Sequence, residues 1–303
     1  MADLRVNVAG VSFENPVIPA SGAFGFGHEY EKLYPLSRLG GISVKGMTRL
    51  PKAGNPPPRI AETPMGMLNS VGLQNPGIDH FIEKELPYLS GKGTRIIANV
   101  AGSTAEDCVA MAEKLENTAV DMIELNISCP NVKQGGAAFG TSCEAAAGIT
   151  EAVRKATSKP LMVKLSPNVT NITAIAKAVE AAGADAVSLI NTLLGMRIDL
   201  NSRRPVLKNN VGGMSGPAVF PIAVRMVWQV ANAVKIPVVG MGGISSGKDA
   251  IEMMMAGASA VQVGAAIFTD PYAPLKIIDG MNRWLDDHGI ASVREIVGTV
   301  QPW

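Results

Sequence analysis

The stretch PLMVKLSP, residues 160–167, holds a short apolar run that is continuous rather than alternating and that ends at a lysine. Runs of this kind are typical of strands in a parallel sheet covered on both faces. Seven similar runs occur elsewhere in the chain. They are PVIPASG (16–22), GISVKG (41–46), RIIANVAG (95–102), DMIELNIS (121–128), AVSLINT (186–192), PVVGMGG (237–243) and AVQVGAA (260–266).

Segments with the apolar spacing of amphipathic helices lie between most of these runs. They are AEDCVAMAEKLEN (105–117), CEAAAGITEAVRKAT (143–157), ITAIAKAVEAAGA (172–184), AVFPIAVRMVWQVANAV (218–234) and GKDAIEMMMAGA (247–258). Ser103 or Thr104 is expected to cap the first helix, and Ser246 the last. Eight such units predict an α/β fold, a (β/α)8 TIM barrel that forms a single domain over residues 1–303.

Two intervals, 47–94 and 193–236, are too long for a simple crossover between a strand and a helix. In a barrel they would be elaborated loops at the catalytic face; the alternative is a second domain in one of them. Residues 3–14 are expected to form a short hairpin that closes the barrel floor.

The composition favours chemistry on small molecules. The 303 residues carry a formal charge of +1 with scattered basic residues, so neither a nucleic-acid face nor a membrane anchor is expected. No secretory signal or apolar stretch of about 18 residues is visible, so a cytoplasmic protein is expected. The three cysteines have no CxxC spacing, and the histidines lack metal-ligand spacing, so no metal site is expected.

Polar and small residues follow the predicted strands, where barrels place their catalytic groups. Lys45 and Lys164 each follow apolar residues, so both ammonium groups should face an anion or acceptor in the barrel mouth, unless they form structural ion pairs. Strand-end asparagines suit a planar ligand, although any one could be a turn cap. Glycine turns after the last two strands could bind phosphate. The pattern predicts a phosphorylated cofactor beside a planar substrate.

Nine motifs, in order along the chain, resemble the dihydroorotate dehydrogenase family. They are NPVIPASGAFGFG, ETPMGMLNSVGLQNPG, IIANVAGS, ELNISCPNVKQGG, VKLSPNV, SLINTLLGMR, GGMSGPA, PVVGMGGI and AVQVGAA. The segment NVKQGG after Cys129 is similar to the NAD-linked class 1B catalytic subunits more than to the fumarate-using enzymes.

The resemblance implies two sets of ligand-binding residues and one catalytic base. FMN would contact Ser21, Lys45, Gly46, Asn99, Asn126, Lys164, Ile190, Gly216, Gly242, Gly243, Gly264 and Ala265. The substrate would contact Lys45, Asn69, Ser70, Val71, Gly72, Leu73, Asn126, Asn191 and Thr192. Cys129 would be the base, on a segment whose Gly135, Gly136 and Gly140 could let it close as a lid. Cys108 and Cys143 are expected to be structural, and His28, His80 and His288 are not expected to be catalytic.

The implied reaction is oxidation of (S)-dihydroorotate to orotate in de novo pyrimidine (UMP) biosynthesis. Cys129 would take the carbon 5 proton and FMN the carbon 6 hydride. A partner subunit with FAD and a two-iron two-sulfur (2Fe-2S) cluster would pass electrons to NAD, in a heterotetramer built on a homodimer of this chain. Four alternatives stay open: a stand-alone fumarate-dependent dihydroorotate dehydrogenase, another FMN-barrel dihydropyrimidine oxidoreductase, an aldolase with a Schiff base on Lys164, and a non-catalytic binding barrel.

Overall fold

The computed structural model describes residues 2–128 and 139–303. Eight parallel strands form the central sheet, and we number them β1 to β8 in chain order. They are β1 (Val17–Pro19), β2 (Gly41–Ser43), β3 (Arg95–Val100), β4 (Met122–Asn126), β5 (Leu161–Lys164), β6 (Ala186–Leu189), β7 (Val238–Met241) and β8 (Ala260–Val263). Each lies inside one of the eight predicted runs, so that prediction is confirmed.

The sheet closes on itself as a barrel. Each strand from β2 to β8 pairs with its sequence neighbour, and β8 pairs with β1. The strands β1 and β2 meet at the remaining seam, where the amide of Gly40 donates to the carbonyl of Val17 over 3.1 Å. The predicted (β/α)8 TIM barrel is therefore confirmed.

Helices surround the barrel. The longer ones are Ala105–Glu116, Cys143–Ala156, Ile172–Ala181, Phe220–Ala231, Gly247–Met255 and Ala273–Asp287. Short helices span His28–Glu31, Ile78–His80, Leu86–Ser90 and Ala266–Thr269, with a π-helical turn at Phe81–Glu85. The 3-10 turns are Leu36–Arg38, Phe139–Thr141, Pro217–Val219 and Val293–Ile296. Among the described residues, no helix is long and apolar enough to span a membrane.

The five predicted helices are present, and two of the predicted caps are observed. The hydroxyl of Thr104 accepts from the amide of Asp107, and Ser246 forms a reciprocal capping box with Asp249. Each cap satisfies an amide that the first turn leaves unpaired. Ser103 instead accepts a hydrogen bond from the ammonium of Lys52. The helix Ala273–Asp287 was not predicted.

The hydrophobic core lies between the barrel and its helices. All four residues of β5 are buried, and the helix Ala105–Glu116 buries Cys108, Met111 and Leu115 against the sheet. Full burial of one such apolar side chain contributes about 1.5–3 kcal/mol. The continuous apolar strands are thus explained by burial on both faces.

The two long intervals pair with each other. Strands Ile60–Thr63 and Gly66–Asn69 from the first join Gly212–Ser215 and Leu193–Gly195 from the second in one antiparallel sheet. A two-residue pair, Ile198–Asp199 with Arg204–Pro205, extends from the second interval. The sequence predicted elaborated loops here but did not predict this shared sheet.

The predicted floor hairpin is confirmed as Val6–Val8 paired with Val11–Phe13. Nε of Arg95, the first residue of β3, donates to the carbonyl of Ser12 over 2.9 Å. The hairpin therefore covers the amino ends of the barrel strands. The carboxyl ends are left for the four-stranded antiparallel sheet of the two long intervals, which we call the excursion sheet.

Candidate active site

A cavity of about 230 Å³ lies at the carboxyl ends of the barrel strands. One buried water needs roughly 10–15 Å³ on this measure, so the cavity has room for an organic ligand. Its wall includes residues at or near the carboxyl end of each of the eight barrel strands. The predicted residues in the wall are Ser21, Lys45, Gly46, Asn69, Val71, Gly72, Leu73, Asn99, Asn126, Lys164, Ile190, Asn191, Thr192, Gly216, Gly242, Gly243, Gly264 and Ala265.

The barrel itself brings these side chains together. Asn126 is the last residue of β4 and Lys164 the last of β5, and the two are paired across the strands. Ser188 of β6 is in turn opposite Lys164. Since the carboxyl ends of parallel strands meet at one rim, residues distant in sequence converge there.

Beneath this wall, a carboxylate occupies the barrel centre. Glu124 of β4 is fully buried and accepts hydrogen bonds from four strands. The donors are Ser43 Oγ at 2.8 Å, Asn99 Nδ2 at 2.6 Å, Ser188 Oγ at 2.8 Å and Gln262 Nε2 at 2.8 Å. A buried carboxylate with this many donors is satisfied as an anion.

The pKa of Glu124 is lowered from its ordinary value. Burial, the largest influence, raises it, but the positive charge of Lys164 and the hydrogen bonds from Asn99, Ser43 and Ser188 outweigh that effect. Glu124 is therefore ionised at neutral pH. It is an acceptor only, which fixes the orientation of every group that donates to it.

Lys164 and the glycine turns suit an anionic cofactor. The side chain of Lys164 is 5% exposed, and no hydrogen bond or ion pair of its ammonium is found among the described residues. A buried cation of this kind calls for an acceptor or anion from a ligand. At Gly264 a Cβ would meet only Ala20, at 3.8 Å, so the backbone is open to a ligand there. These residues fit FMN.

The opposite part of the wall comes from the excursion sheet. Nδ2 of Asn69 donates to the carbonyl of Gly213 over 3.4 Å, which ties the two intervals together beside the cavity. Gly72 and Leu73 have φ values of +75° and +56°, so the turn after Asn69 is left-handed. This turn brings backbone groups to the cavity, where Lys45 also lies.

Of the predicted site residues that the structure describes, one does not appear in this wall. Ser70 is buried, its hydroxyl has no hydrogen-bond partner among the described residues, and it does not line the cavity, so its contact with substrate stays a prediction. Cys129, with Gly135 and Gly136, lies outside the described residues. Gly140 is buried in the 3-10 turn Phe139–Thr141.

The other thiols and the histidines lie elsewhere. Cys108 is buried, and burial raises the pKa of its thiol to about 12, in agreement with a structural role. Cys143 is exposed at the start of its helix. His28 and His80 both contact Glu85, and the ring of His288 stacks on Trp284, so none of them lines the cavity.

Sequence reasoning missed Glu124, Gln262 and Ser128. The signal was present, because nearly every apolar run contains at least one polar residue; among them are Ser43, Asn99, Glu124, Lys164, Ser188 and Gln262. An acid inside a buried strand requires partners, and those partners are the polar residues of the neighbouring runs.

The strand ends of this (β/α)8 barrel enclose a cavity lined by a buried lysine, asparagine amides and open glycine turns. This arrangement is typical of a barrel enzyme that binds a cofactor. The sequence model of the family described as dihydroorotate dehydrogenase matches residues 3–285. The chain belongs to that family, as the motifs predicted.

Similar curated proteins cover essentially the whole chain. One from Bacteroides thetaiotaomicron is 56% identical over 302 residues, 99% of this chain and 100% of that protein. Another from Parabacteroides distasonis is 56% identical over 301 residues, 99% of each chain, and one from Geotalea uraniireducens is 56% identical over 299 residues, 98% of each. All three are named dihydroorotate dehydrogenase B (NAD(+)), catalytic subunit. The predicted likeness to NAD-linked catalytic subunits is confirmed.

Proposed function

We propose that this chain oxidises (S)-dihydroorotate to orotate in de novo pyrimidine biosynthesis, as the catalytic subunit of an NAD-linked dihydroorotate dehydrogenase. The observation that carries the proposal is the cavity itself, in which the side chain of Lys164, without a hydrogen bond among the described residues, and a wall of asparagine amides face the same space. Membership of the dihydroorotate dehydrogenase family supports the same reaction.

The residues that would hold FMN come from several strand ends. Lys164 would place its ammonium against the ring edge that gains negative charge, with Asn99 and Asn126 beside it. The turns at Gly242–Gly243 and Gly264–Ala265 would donate backbone N–H groups to the phosphate. Ser21, Lys45, Gly46, Ile190 and Gly216 complete the proposed contacts. When bound, FMN supplies the acceptor for the hydride that leaves carbon 6.

The substrate would lie between the amides and the turn at 69–73. Backbone N–H groups of that turn, together with the ammonium of Lys45, would bind its carboxylate. Asn69, Asn126 and Asn191 would donate to its carbonyl oxygens, with Thr192 beside them. Those donors would stabilise the negative charge that develops on the ring as the carbon 5 proton is removed.

Cys129 is the proposed base for that proton. In the sequence, Cys129 belongs to the motif NISCPNV and comes three residues after Asn126, the last residue of β4. A free thiol has a pKa near 8.5, and nearby positive charge lowers it, so a growing thiolate fraction would raise turnover as pH increases through neutrality. A base of this kind typically contributes about 10²–10⁴-fold to the rate.

The names of the relatives include a catalytic subunit and NAD(+), which supports a second subunit for this chain as well. We propose that the partner is an iron-sulfur flavoprotein with FAD and a 2Fe-2S cluster that carries electrons to NAD. The assembly would be a cytoplasmic heterotetramer built on a homodimer of this chain.

The direct test is an anaerobic absorbance spectrum of the purified chain before and after addition of dihydroorotate. The proposal predicts an FMN spectrum that bleaches with substrate, and colour that returns with NAD only when the partner subunit is added. A flavin that dihydroorotate leaves oxidised would contradict the proposed reaction. Rapid reoxidation by fumarate without a partner would instead identify the fumarate-dependent enzyme.

The base assignment has its own test in Cys129→Ala. This variant is expected to retain FMN but to lose rapid reduction by dihydroorotate in anaerobic stopped flow, by at least about 10²-fold. Cys143→Ala is the matched control, because Cys143 is exposed on a helix outside the cavity wall. Wild-type reduction rates in Cys129→Ala would rule out the thiol as base.

A further inference from the structure

A chain of side-chain hydrogen bonds links three amides of the cavity wall to the buried carboxylate. Asn191 Nδ2 donates to Ser128 Oγ over 2.5 Å, and Ser128 Oγ donates to Asn126 Oδ1 over 2.7 Å. Asn126 Nδ2 donates to Asn99 Oδ1 over 3.4 Å, and Asn99 Nδ2 donates to Glu124 Oε2 over 2.6 Å. Every bond therefore points in one direction, from the rim of the barrel toward its centre.

Three fixed groups impose this direction. Glu124 can only accept, so Asn99 must turn its NH2 group toward it. The backbone N–H of Ser128 donates to Asn126 Oδ1 over 3.2 Å, and that of Thr192 donates to Asn191 Oδ1 over 2.8 Å. If any of these amides were flipped, two donors or two acceptors would face each other. The free-energy cost would be that of a buried polar group without a hydrogen bond.

These hydrogen bonds also determine which polar atoms of each asparagine amide remain available to bind a ligand. The oxygens of Asn99, Asn126 and Asn191 all accept within the chain, and one N–H of each NH2 group is also used there. The second N–H of each has no partner among the described residues. All three residues line the cavity, so this wall presents donors to a ligand.

We infer that Ser128 is a positioning residue: its hydroxyl joins Asn126 to Asn191 and, together with the two backbone N–H groups, keeps their NH2 groups turned toward the cavity, so that this wall selects ring ligands with carbonyl oxygens on the facing edge. Ser128 is 4% exposed and does not line the cavity, so it would act on a ligand only through its neighbours. Its hydroxyl bridges Asn126 at the end of β4 and Asn191 just after β6. The inference rests on the proposed function, since the carbonyl ligand is then dihydroorotate or orotate.

The first test needs no mutation. The FMN-loaded wild-type chain is titrated with orotate and, separately, with the two analogues in which one ring carbonyl is replaced by an amino group; binding is followed by the change in FMN absorbance. Orotate should bind at least about tenfold more tightly than one or both analogues, because an amino group would face the amide donors with donors of its own. Equal affinities for all three compounds would overturn the inference.

The second test removes the bridge. In Ser128→Ala, Asn191 loses its acceptor and Asn126 loses one of its two donors, so both amides gain freedom to turn. Orotate should bind about tenfold more weakly, and its preference over the amino analogues should fall by a similar factor. Ser128→Thr keeps a hydroxyl and should restore both. An unchanged preference in Ser128→Ala would contradict the positioning role.

Ser188→Ala is the matched control. Ser188 is equally buried and its hydroxyl donates to Glu124 Oε1 over 2.8 Å, but it is not part of the amide chain. This variant should keep the wild-type preference for orotate, and loss of the preference there would assign the effect to general loosening instead. A wild-type chain that binds FMN but none of the three compounds would overturn the proposed function, whereas binding without selectivity overturns this inference alone.

Discussion

The position of the Lys164 side chain is set by the barrel strands around it. Its aliphatic stem ends a fully buried strand, while its ammonium reaches the cavity with no partner found among the described residues. The charge of ionised Glu124 lies behind it and compensates it through the low-dielectric interior. The end of this side chain is thus directed toward a ligand in the cavity.

Replacing Lys164 by alanine is expected to weaken FMN binding by at least about tenfold, because a charge-assisted hydrogen bond in a buried site is lost. FMN content after gel filtration and an FMN titration of the apoprotein measure the effect. Lys177→Ala is the control, since Lys177 is exposed on the helix Ile172–Ala181. Equal FMN content in Lys164→Ala and wild type would exclude this role.

At the residue scale, the sequence predicted most of the cavity wall but not the layer beneath it. Lys164, Asn99 and Asn126 could be predicted because polar residues at strand ends point to a site. Glu124 lies inside its strand, beneath the wall, and a local pattern does not show that four other strands supply its donors, one of them through Gln262 at the cavity.

Among the helices, Ala105–Glu116 is attached by its final residue to the segment that precedes β5. The carboxylate of Glu116 accepts from the amide of Ser158 over 2.9 Å and from the hydroxyl groups of Thr157 and Ser158. The hydrogen bonds from Ser158 and Thr157 lower the pKa of Glu116 from 4.5 to about 2. The helix end thereby fixes the segment that leads into β5.

The hydrogen bonds to the Glu116 carboxylate should make the free energy of unfolding depend on pH in the acid range. A lowered pKa in the folded state means that the stabilisation is complete above about pH 4.5 and is lost as pH falls toward about 2. Glu116→Gln is therefore expected to melt below wild type at neutral pH, with a difference that shrinks across that window. Glu113→Gln, exposed on the same helix, should show no such trend. A Glu116→Gln difference that is constant from pH 7 to pH 2 would contradict the account.

The helix Ala273–Asp287 is the element that the sequence did not predict. Gly280 lies in its middle, and a glycine there lowers helix propensity by about 1 kcal/mol. The structure explains the glycine, because a Cβ at position 280 would meet the Cα of Gly247 at 3.1 Å. Close packing of this helix against Gly247–Met255 overrides the local preference.

For the whole molecule, the excursion sheet connects two parts of the barrel rim. Gly213 is central to it, since it is paired with both Asn69 and Leu194. The sequence indicated two elaborated loops but not their pairing, because antiparallel partners about 150 residues apart leave no local signal. The substrate side of the cavity depends on this long-range pairing.

Gly213→Ala tests that dependence. An added Cβ would overlap the side chain of Thr192, so Thr192 and the neighbouring Asn69 should shift. We expect orotate to bind about tenfold more weakly while FMN content stays at the wild-type level, because of the proposed FMN contacts only Gly216 follows this strand, whereas Lys164 and the later glycine turns lie on other strands. Gly148→Ala, in open space on a helix, should change neither quantity. Loss of FMN in Gly213→Ala would refute the separation of the two binding regions.

The most direct measurement is a crystal structure of this chain with FMN and orotate bound together. The account predicts FMN in the cavity with the Lys164 ammonium on its ring and its phosphate at the glycine turns after β7 and β8. It also predicts that orotate carbonyl oxygens accept from the free N–H groups of Asn126 and Asn191. FMN bound away from Lys164, or orotate with ring N–H groups facing those amides, would contradict it.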